Sequence, residues 1–257
     1  MLHRTLLFLC ACLCACAAPP DDTAPDLPHT DEIIHGTRDY DRHPGVLALF
    51  TTDGSLCTAT LIAPRLVLTA RHCVSRTTPT LRCPSTDRQV LATRDPEEID
   101  LLIGETTLVA RDGRHGVAIF VPPGDNLCDA DVAVVALDRA ITSIAPLRVA
   151  RTNDTREGSA VTLVGFGARG DSTRAGVGAR YFRNGVRVLA DTPTELLIGR
   201  GACEGDSGGP ALDPRTSAVV GVLSRGSDRC NTPDARSVFT RASVALPLVE
   251  RATAQVR

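Results

Sequence analysis

Three short segments carry the residue types that hydrolytic chemistry needs: Leu68-Thr69-Ala70-Arg71-His72-Cys73, Asp131-Val132-Ala133-Val134-Val135 and Gly205-Asp206-Ser207-Gly208-Gly209-Pro210. Cleaving an amide takes a nucleophile, a base to accept its proton, an acid to orient that base, and donors for the developing oxyanion. A serine hydroxyl attacks well only when an imidazole removes its proton, and histidine titrates near neutrality, so Ser207 and His72 suit the first two roles. A buried carboxylate behind the ring fixes its tautomer and stabilises the cation that forms. Asp131, at the head of an apolar run, can do this, and Asp129 competes with it. Glycines on both sides of Ser207 permit a tight turn that aims the amides of Gly205 and Ser207 at one oxygen. The isolated His29, His35, His43 and His115 read as surface or turn residues.

These groups are far apart along the chain, so a fold has to gather them. Short β-branched and apolar runs at Val46–Phe50, Leu66–Ala70, Val117–Val121, Val132–Leu137, Val161–Gly165 and Val219–Ser224 are broken by Gly, Pro, Asp and Asn. That spacing predicts an all-β sandwich or barrel rather than alternating β and α units. Helical spacing is confined to Val244–Val256, where Val244, Leu248, Val249, Ala252 and Val256 share a face and Pro247 sits near the start. With 257 residues, 43% hydrophobic, the chain can bury a large core; with 3% aromatics and no Trp, Val, Leu, Ile and Ala must fill it.

The first 18 residues have the layout of an export signal: Arg4 near the start, an apolar Leu6–Leu13 and a small-residue stretch to Ala18. Leu13-Cys14-Ala15-Cys16 resembles a bacterial lipobox that would lipidate Cys16 and anchor the chain in the cell envelope; cleavage by an ordinary signal peptidase near Ala18 is the rival reading. Residues 19–32 are acidic and Pro-rich and read as a linker or pro-segment, with structure beginning near Ile33. Four of the 10 cysteines lie in the leader, and an even set of six beyond it in an exported chain reads as disulfides.

Taken together and in this order, the His, Asp and Ser segments resemble the chymotrypsin/trypsin family of serine proteases, from Ile33 to near the C-terminus. Ile33-Ile34-His35-Gly36 is similar to the family's mature N-terminus, with His35 replacing the usual Gly. Ile103-Gly104-Glu105 matches a strand motif before the acid, and Gly165-Phe166-Gly167 stands at a Gly-Trp-Gly landmark. The resemblance implies two six-stranded antiparallel β-barrels, residues 33–145 and 146–257, with the active site between them and a C-terminal helix. It favours Asp131 over Asp129, because Val132-Ala133-Val134 follows it in the family's manner. It implies a zymogen cut after Glu32, whose new Ile33 amino group pairs with Asp206 and organises the oxyanion hole of Gly205 and Ser207. Cleavage after an acidic residue argues against a trypsin-like activator. If Cys16 is lipidated, that cut also releases the enzyme. The family pattern pairs Cys57 with Cys73 and Cys203 with Cys230, leaving Cys83 and Cys128 as a third pair, with free thiols or a metal site as the alternative.

By the same resemblance Gly201 is the base of the specificity pocket, Ser224 to Gly226 its walls, and Ser237 a further lining residue. No acid at Gly201 or Ser237 offers a partner to a buried Arg or Lys, so the residue before the scissile bond is expected to be small to medium and apolar. Arg225, where the family has an aromatic, and Glu204 at the rim either favour charge at neighbouring subsites or are solvated surface. The expected partners are protein or peptide substrates and an activating protease, with no cofactor, no metal and a monomeric state. A net charge of -2 without a basic stripe leaves no footprint for nucleic acid, and all 28 cationic residues being Arg reads as codon bias. Two other readings are a non-catalytic binding protein on the same fold and an esterase or lipase. The latter is opposed by chain order, since those enzymes place Asp and His after Ser.

Overall fold

The apolar runs become strands of two barrels in the computed structural model, which describes residues 33–108, 112–171 and 177–256. The export signal, Cys16 and the acidic segment 19–32 lie outside the described residues. In chain order, the strands of the first half are Thr37–Arg38 (β1), Val46–Thr51 (β2), Leu56–Ala63 (β3), Leu66–Thr69 (β4), Ser75–Thr77 (β5), Val90–Thr93 (β6), Ile99–Ile103 (β7), Asp112–Phe120 (β8) and Ala133–Leu137 (β9). Those of the second half are Ala160–Gly165 (β10), Tyr181–Asp191 (β11), Glu195–Gly199 (β12), Pro210–Leu212 (β13), Val219–Gly226 (β14) and Arg236–Arg241 (β15), followed by a helix at Leu246–Gln255 (α1).

A closed antiparallel barrel forms in the order β2-β3-β4-β9-β8-β7. The second runs β11-β10-β13-β14-β15-β12 and closes through β11–β12 pairing. Closure leaves the barrel strands without a long free edge, the usual template for aggregation. The inner faces are filled by aliphatic residues, as the scarcity of aromatics requires: Leu47, Leu49, Leu66, Leu68, Leu101 and Val134 in the first barrel, and Val161, Leu163, Val188, Leu196 and Ile198 around Phe239 in the second. Each such side chain contributes roughly 1.5–3 kcal/mol on leaving water.

The boundaries differ from the sequence reading in three places. The run from Val117 is the latter part of the nine-residue β8, which ends at Phe120. The C-terminal face from Val244 begins as a 3₁₀ turn at Ala242–Ala245, and the α-helix proper starts at Leu246 with Pro247 in its first turn, where a missing N–H leaves no intrahelical bond unmade. The third difference is that each end of the chain crosses to the other barrel. β1 pairs with β11 of the second barrel, and α1 packs against β8 and β9 of the first.

The N-terminal crossing is fixed by Arg180, which is fully buried. Its Nε donates to Asp39 Oδ2 at 2.7 Å, and its Nη1 reaches the carbonyls of Val46 and Gly104 at 3.0 and 3.1 Å. Its Nη2 meets Asp41 Oδ1 at 2.8 Å. A buried guanidinium is tolerable only when paired and hydrogen-bonded in this way, so loss of Asp39 would strand its charge.

Candidate active site

His72 lies in a 3₁₀ turn, Arg71–Val74, that follows β4 directly. β4 pairs with β9 in a register that sets Thr69 against Ala133, and this brings Asp131, two residues before Ala133, beside the turn. His72 Nδ1 is 2.8 Å from Asp131 Oδ2, and the His72 backbone amide donates to Oδ1 at 2.9 Å. Because a carboxylate can only accept, Nδ1 carries the proton and Nε2 is left as the acceptor. A third donor, Ser224 Oγ, reaches Oδ2 at 2.7 Å.

Burial alone would push the Asp131 carboxyl up; the His72 charge and the hydrogen bonds from His72 and Ser224 outweigh it and hold the group below its ordinary range. Burial likewise pulls the His72 imidazole down, and the charge and hydrogen bond of Asp131 overcome that and hold it above its ordinary value. Asp129 is engaged elsewhere: its amide donates to Glu195 Oε1 and its Oδ1 accepts from Thr194. Of the two competing acids, only Asp131 meets the imidazole.

Ser207 reaches the same place from the second barrel. Its carbonyl accepts from the Thr58 amide at 2.8 Å, and Thr58 Oγ1 donates to the Gly205 carbonyl at 3.0 Å, so β3 grips the serine loop from both sides. Gly208 has φ +81° and sits so close to β4 that a Cβ would fall 2.1 Å from Thr69 Oγ1 and 2.3 Å from the Thr58 carbonyl. Only glycine permits that approach. The Cys57–Cys73 disulfide passes between the two elements, with Cys73 Sγ 3.8 Å from His72 Nε2 and 3.6 Å from the Ser207 carbonyl.

Peptide planarity then orients the amides. The Glu204 carbonyl accepts from Ala168 at 2.6 Å and the Asp206 carbonyl from Gly209 at 2.8 Å. In trans peptides the N–H opposes the C=O, so the amides of Gly205 and Ser207 point away from those partners. Among the described residues neither donates within the chain, which leaves both for an external oxygen.

Beside Ser207 opens a cavity of about 470 Å³ lined by Ala202, Leu223, Arg225, Gly226 and Ser237, with the Cys203–Cys230 disulfide in its wall. Two residues expected in this pocket are placed otherwise. Gly201 faces the barrel core, where a Cβ would meet Leu163 Cδ1 at 2.7 Å, and Ala202 lines the cavity instead. Ser224 is an extra residue in β14: Leu223 pairs with Phe239 and Arg225 with Val238, so Ser224 bulges and turns its hydroxyl to Asp131. Arg225 is not a free charge at a subsite, since Glu195 holds it through two hydrogen bonds of 2.7 and 2.8 Å. Glu204 lies exposed on the rim together with Asp171 and Asp228.

Cys83 and Cys128 are disulfide-bonded, so the alternative of free thiols or a thiolate metal site does not hold there. Thr58, Glu195 and the clamping Arg180 were missed by sequence reasoning, and no local signal marks them because their partners are 30 to 147 residues away.

Asp206 is buried and, among the described residues, accepts only from backbone amides, Gly167 to Oδ1 at 2.7 Å and Cys203 to Oδ2 at 2.9 Å. Burial outweighs these two donors and pushes its carboxyl up to about 7. Ile33 is buried in the second-barrel core with Leu163, Val186 and Ala202, at φ 30°, a strained value for a β-branched residue. Because the folded chain holds the Asp206 proton more tightly than the unfolded chain, this group stabilises the fold fully below about pH 4. The contribution is lost as pH rises towards 7, and amounts to about 4 kcal/mol. Asp206→Asn in the intact chain is expected to remove that component of the pH dependence in denaturant unfolding between pH 4 and 7; equal slopes for both proteins would contradict it.

Comparison with known proteins agrees with the geometry. The trypsin family profile matches residues 33–249. A snake venom serine proteinase of Crotalus adamanteus is 29% identical over 217 residues, covering 76% of each chain. A chymotrypsin of Phaedon cochleariae is 30% identical over 206 residues, covering 73% of this chain and 68% of its own. The solved structure of neuropsin, a serine protease expressed in the limbic system of mouse brain, superposes with a TM-score of 0.65 at 20% identity, over 85% of this chain and 98% of its own. A serine loop gripped by the first barrel, an imidazole backed by a buried carboxylate and two closed six-stranded barrels therefore have a common explanation: the chain belongs to the trypsin family of serine endopeptidases.

Proposed function

We propose that the chain is an exported serine endopeptidase that cuts peptide bonds through an acyl-enzyme, with Ser207 as nucleophile, His72 as base and Asp131 as the orienting carboxylate. The observation that carries this reading is the double hold of one buried carboxylate on His72, through Nδ1 and the backbone amide, at the edge of the Ser207 loop. Nε2 takes the Ser207 proton as Oγ attacks the carbonyl carbon. The amides of Gly205 and Ser207 receive the oxyanion, and the imidazolium then gives its proton to the leaving amine. Water repeats the sequence and releases the acid.

The enzyme is made as a zymogen. Among the described residues Asp206 has no cationic partner, and cutting before Ile33 would create an ammonium on a residue buried in the second-barrel core. The cut also frees Ile33 from its strained φ. Three disulfides fit an oxidising compartment and therefore export. In the specificity pocket, Ala202, Gly226 and Ser237 supply no buried carboxylate for Arg or Lys, which favours small to medium apolar residues before the scissile bond.

Labelling with a fluorophosphonate is expected to mark Ser207 in a chain beginning at Ile33 and to be weak in the intact chain. Absence of label from both supports a non-catalytic binding protein on this fold. Profiling the cleavage sites of the labelled form in a mixed peptide library is expected to give Ala, Val or Leu before the cut; Arg or Lys there would overturn the pocket assignment.

A further inference from the structure

Thr58, near the start of β3, is fully buried, and its polar atoms are spent on the serine loop and its supports. Its amide donates to the Ser207 carbonyl at 2.8 Å, and its carbonyl accepts from Thr69 Oγ1 at 2.8 Å. A hydroxyl has one proton and two lone pairs. Here the proton goes to the Gly205 carbonyl at 3.0 Å, and a lone pair accepts from the Phe166 amide at 3.2 Å. Any residue but proline could supply the backbone contact to Ser207; the paired side-chain contact needs a hydroxyl.

Gly205 is the residue most in need of such a hold. Its φ is +95°, and a Cβ there would fall 2.8 Å from Gly167 Cα, so the residue that offers an oxyanion amide also has a glycine's wide backbone freedom. The peptide before it is anchored by the Ala168 amide on the Glu204 carbonyl, at 2.6 Å. The peptide after it is anchored by Thr58 at the Gly205 carbonyl and by the Asp206 amide on the Cys203 carbonyl, at 3.1 Å. The Gly205 N–H lies between these anchors and swings if either is lost. Phe166 extends the hold to Asp206, because the next amide, that of Gly167, donates to Asp206 Oδ1 at 2.7 Å. One buried hydroxyl thus ties the first barrel both to the oxyanion turn and to the loop that seats Asp206.

We propose that the Thr58 hydroxyl is a positioning group for the oxyanion amide of Gly205. The assignment rests on the peptidase reading above. Thr58 touches no substrate; it acts by keeping a donor aimed where charge develops, so that no reorganisation is needed at the moment of attack. Its contribution therefore belongs to the transition state and not to substrate binding.

The test uses the chain beginning at Ile33, with Thr58→Val, which keeps the shape and drops the hydroxyl, and Thr58→Ser, which keeps the hydroxyl. Removing an oxyanion donor outright costs about 10²–10³ in kcat, and loosening one costs less, so Thr58→Val is expected to lower kcat by about 20-fold with KM within about 2-fold of the wild type. Thr58→Ser is expected to stay within about 3-fold of the wild type in kcat. The unfolding midpoint of Thr58→Val should also fall, since the buried Phe166 amide and Gly205 carbonyl lose their partner. A second probe separates positioning from stability: a peptide aldehyde with the acyl half of the substrate. Ser207 Oγ adds to its carbonyl carbon as the serine proton passes to His72, and the former carbonyl oxygen takes the oxyanion position. Its inhibition constant is expected to rise across the variants by the same factor by which kcat/KM falls. If the valine variant does not fold, Thr58→Ala carries the same comparison, with a parallel loss of at least about 3-fold expected. A wild-type kcat in a destabilised variant, a loss confined to KM, or an aldehyde affinity that holds while kcat falls would overturn the assignment. Failure of the wild-type chain to cut any peptide would instead count against the peptidase reading itself.

Discussion

Replacing Ser207 with alanine is expected to lower peptide-bond turnover by roughly a million-fold in the chain that begins at Ile33. Nucleophile, base and orienting acid act as a unit, so removing one member forfeits most of what the three achieve together. The residual rate would come from binding and from the amides of Gly205 and Ser207, which the substitution leaves in place. Stability should change little, because the loop is held by backbone carbonyls and by Gly208 rather than by the Ser207 hydroxyl. Two measurements check this: kcat on a cleavable peptide, and the midpoint of denaturant unfolding. An unchanged kcat with an unchanged midpoint would remove Ser207 from the reaction.

Asp131→Asn should cost on the order of 10⁴-fold in kcat, and the geometry gives a reason. The His72 backbone amide can only donate, so it selects the amide oxygen of the new side chain at the Oδ1 position. The NH₂ group then faces Nδ1, which must become an acceptor, and the ring proton moves to Nε2. That nitrogen can no longer take the Ser207 proton. The charge of Asp131 also disappears, so the imidazole falls from its raised value. Activity requires the neutral ring; the acid limb of kcat/KM should therefore lie above the ordinary histidine range in the wild type and move to lower pH in the variant. An acid limb that stays in place would show that Asp131 does not set the protonation of His72.

The linkage for stability has the opposite sense for the two partners. The raised His72 favours the fold below its unfolded value near 6.5, and that contribution is lost as pH rises through the folded value. The lowered Asp131 favours the fold above its unfolded value near 3.8 and loses its contribution as pH falls. The pair is thus most stabilising between these limits.

How much of this was legible in the sequence depended on the range of the interaction. His72, Asp131 and Ser207 each sit in a short segment whose neighbours single it out, and the aliphatic runs named most of the barrel strands. Ser224 was placed in the pocket wall by resemblance, whereas a bulge in β14 turns its hydroxyl to Asp131. Gly201 was counted into the pocket by position, yet its missing Cβ makes room for Leu163 in the core. Arg225 was open to either reading until Glu195, 30 residues earlier, closed on it. The crossing of β1 had no sequence signature, since a two-residue strand carries too little pattern to read.

That crossing has a mechanical corollary. The connection between β9 and β10 exposes Thr142, Ser143, Ala145 and Pro146, and each of the three disulfides lies on one side of it. A nick there would sever the only covalent tie across it among the described residues. Each fragment would nevertheless keep an arm around the other, β1 with Asp39 on one and α1 on the other, so the halves should co-migrate in a native gel and part only when denatured.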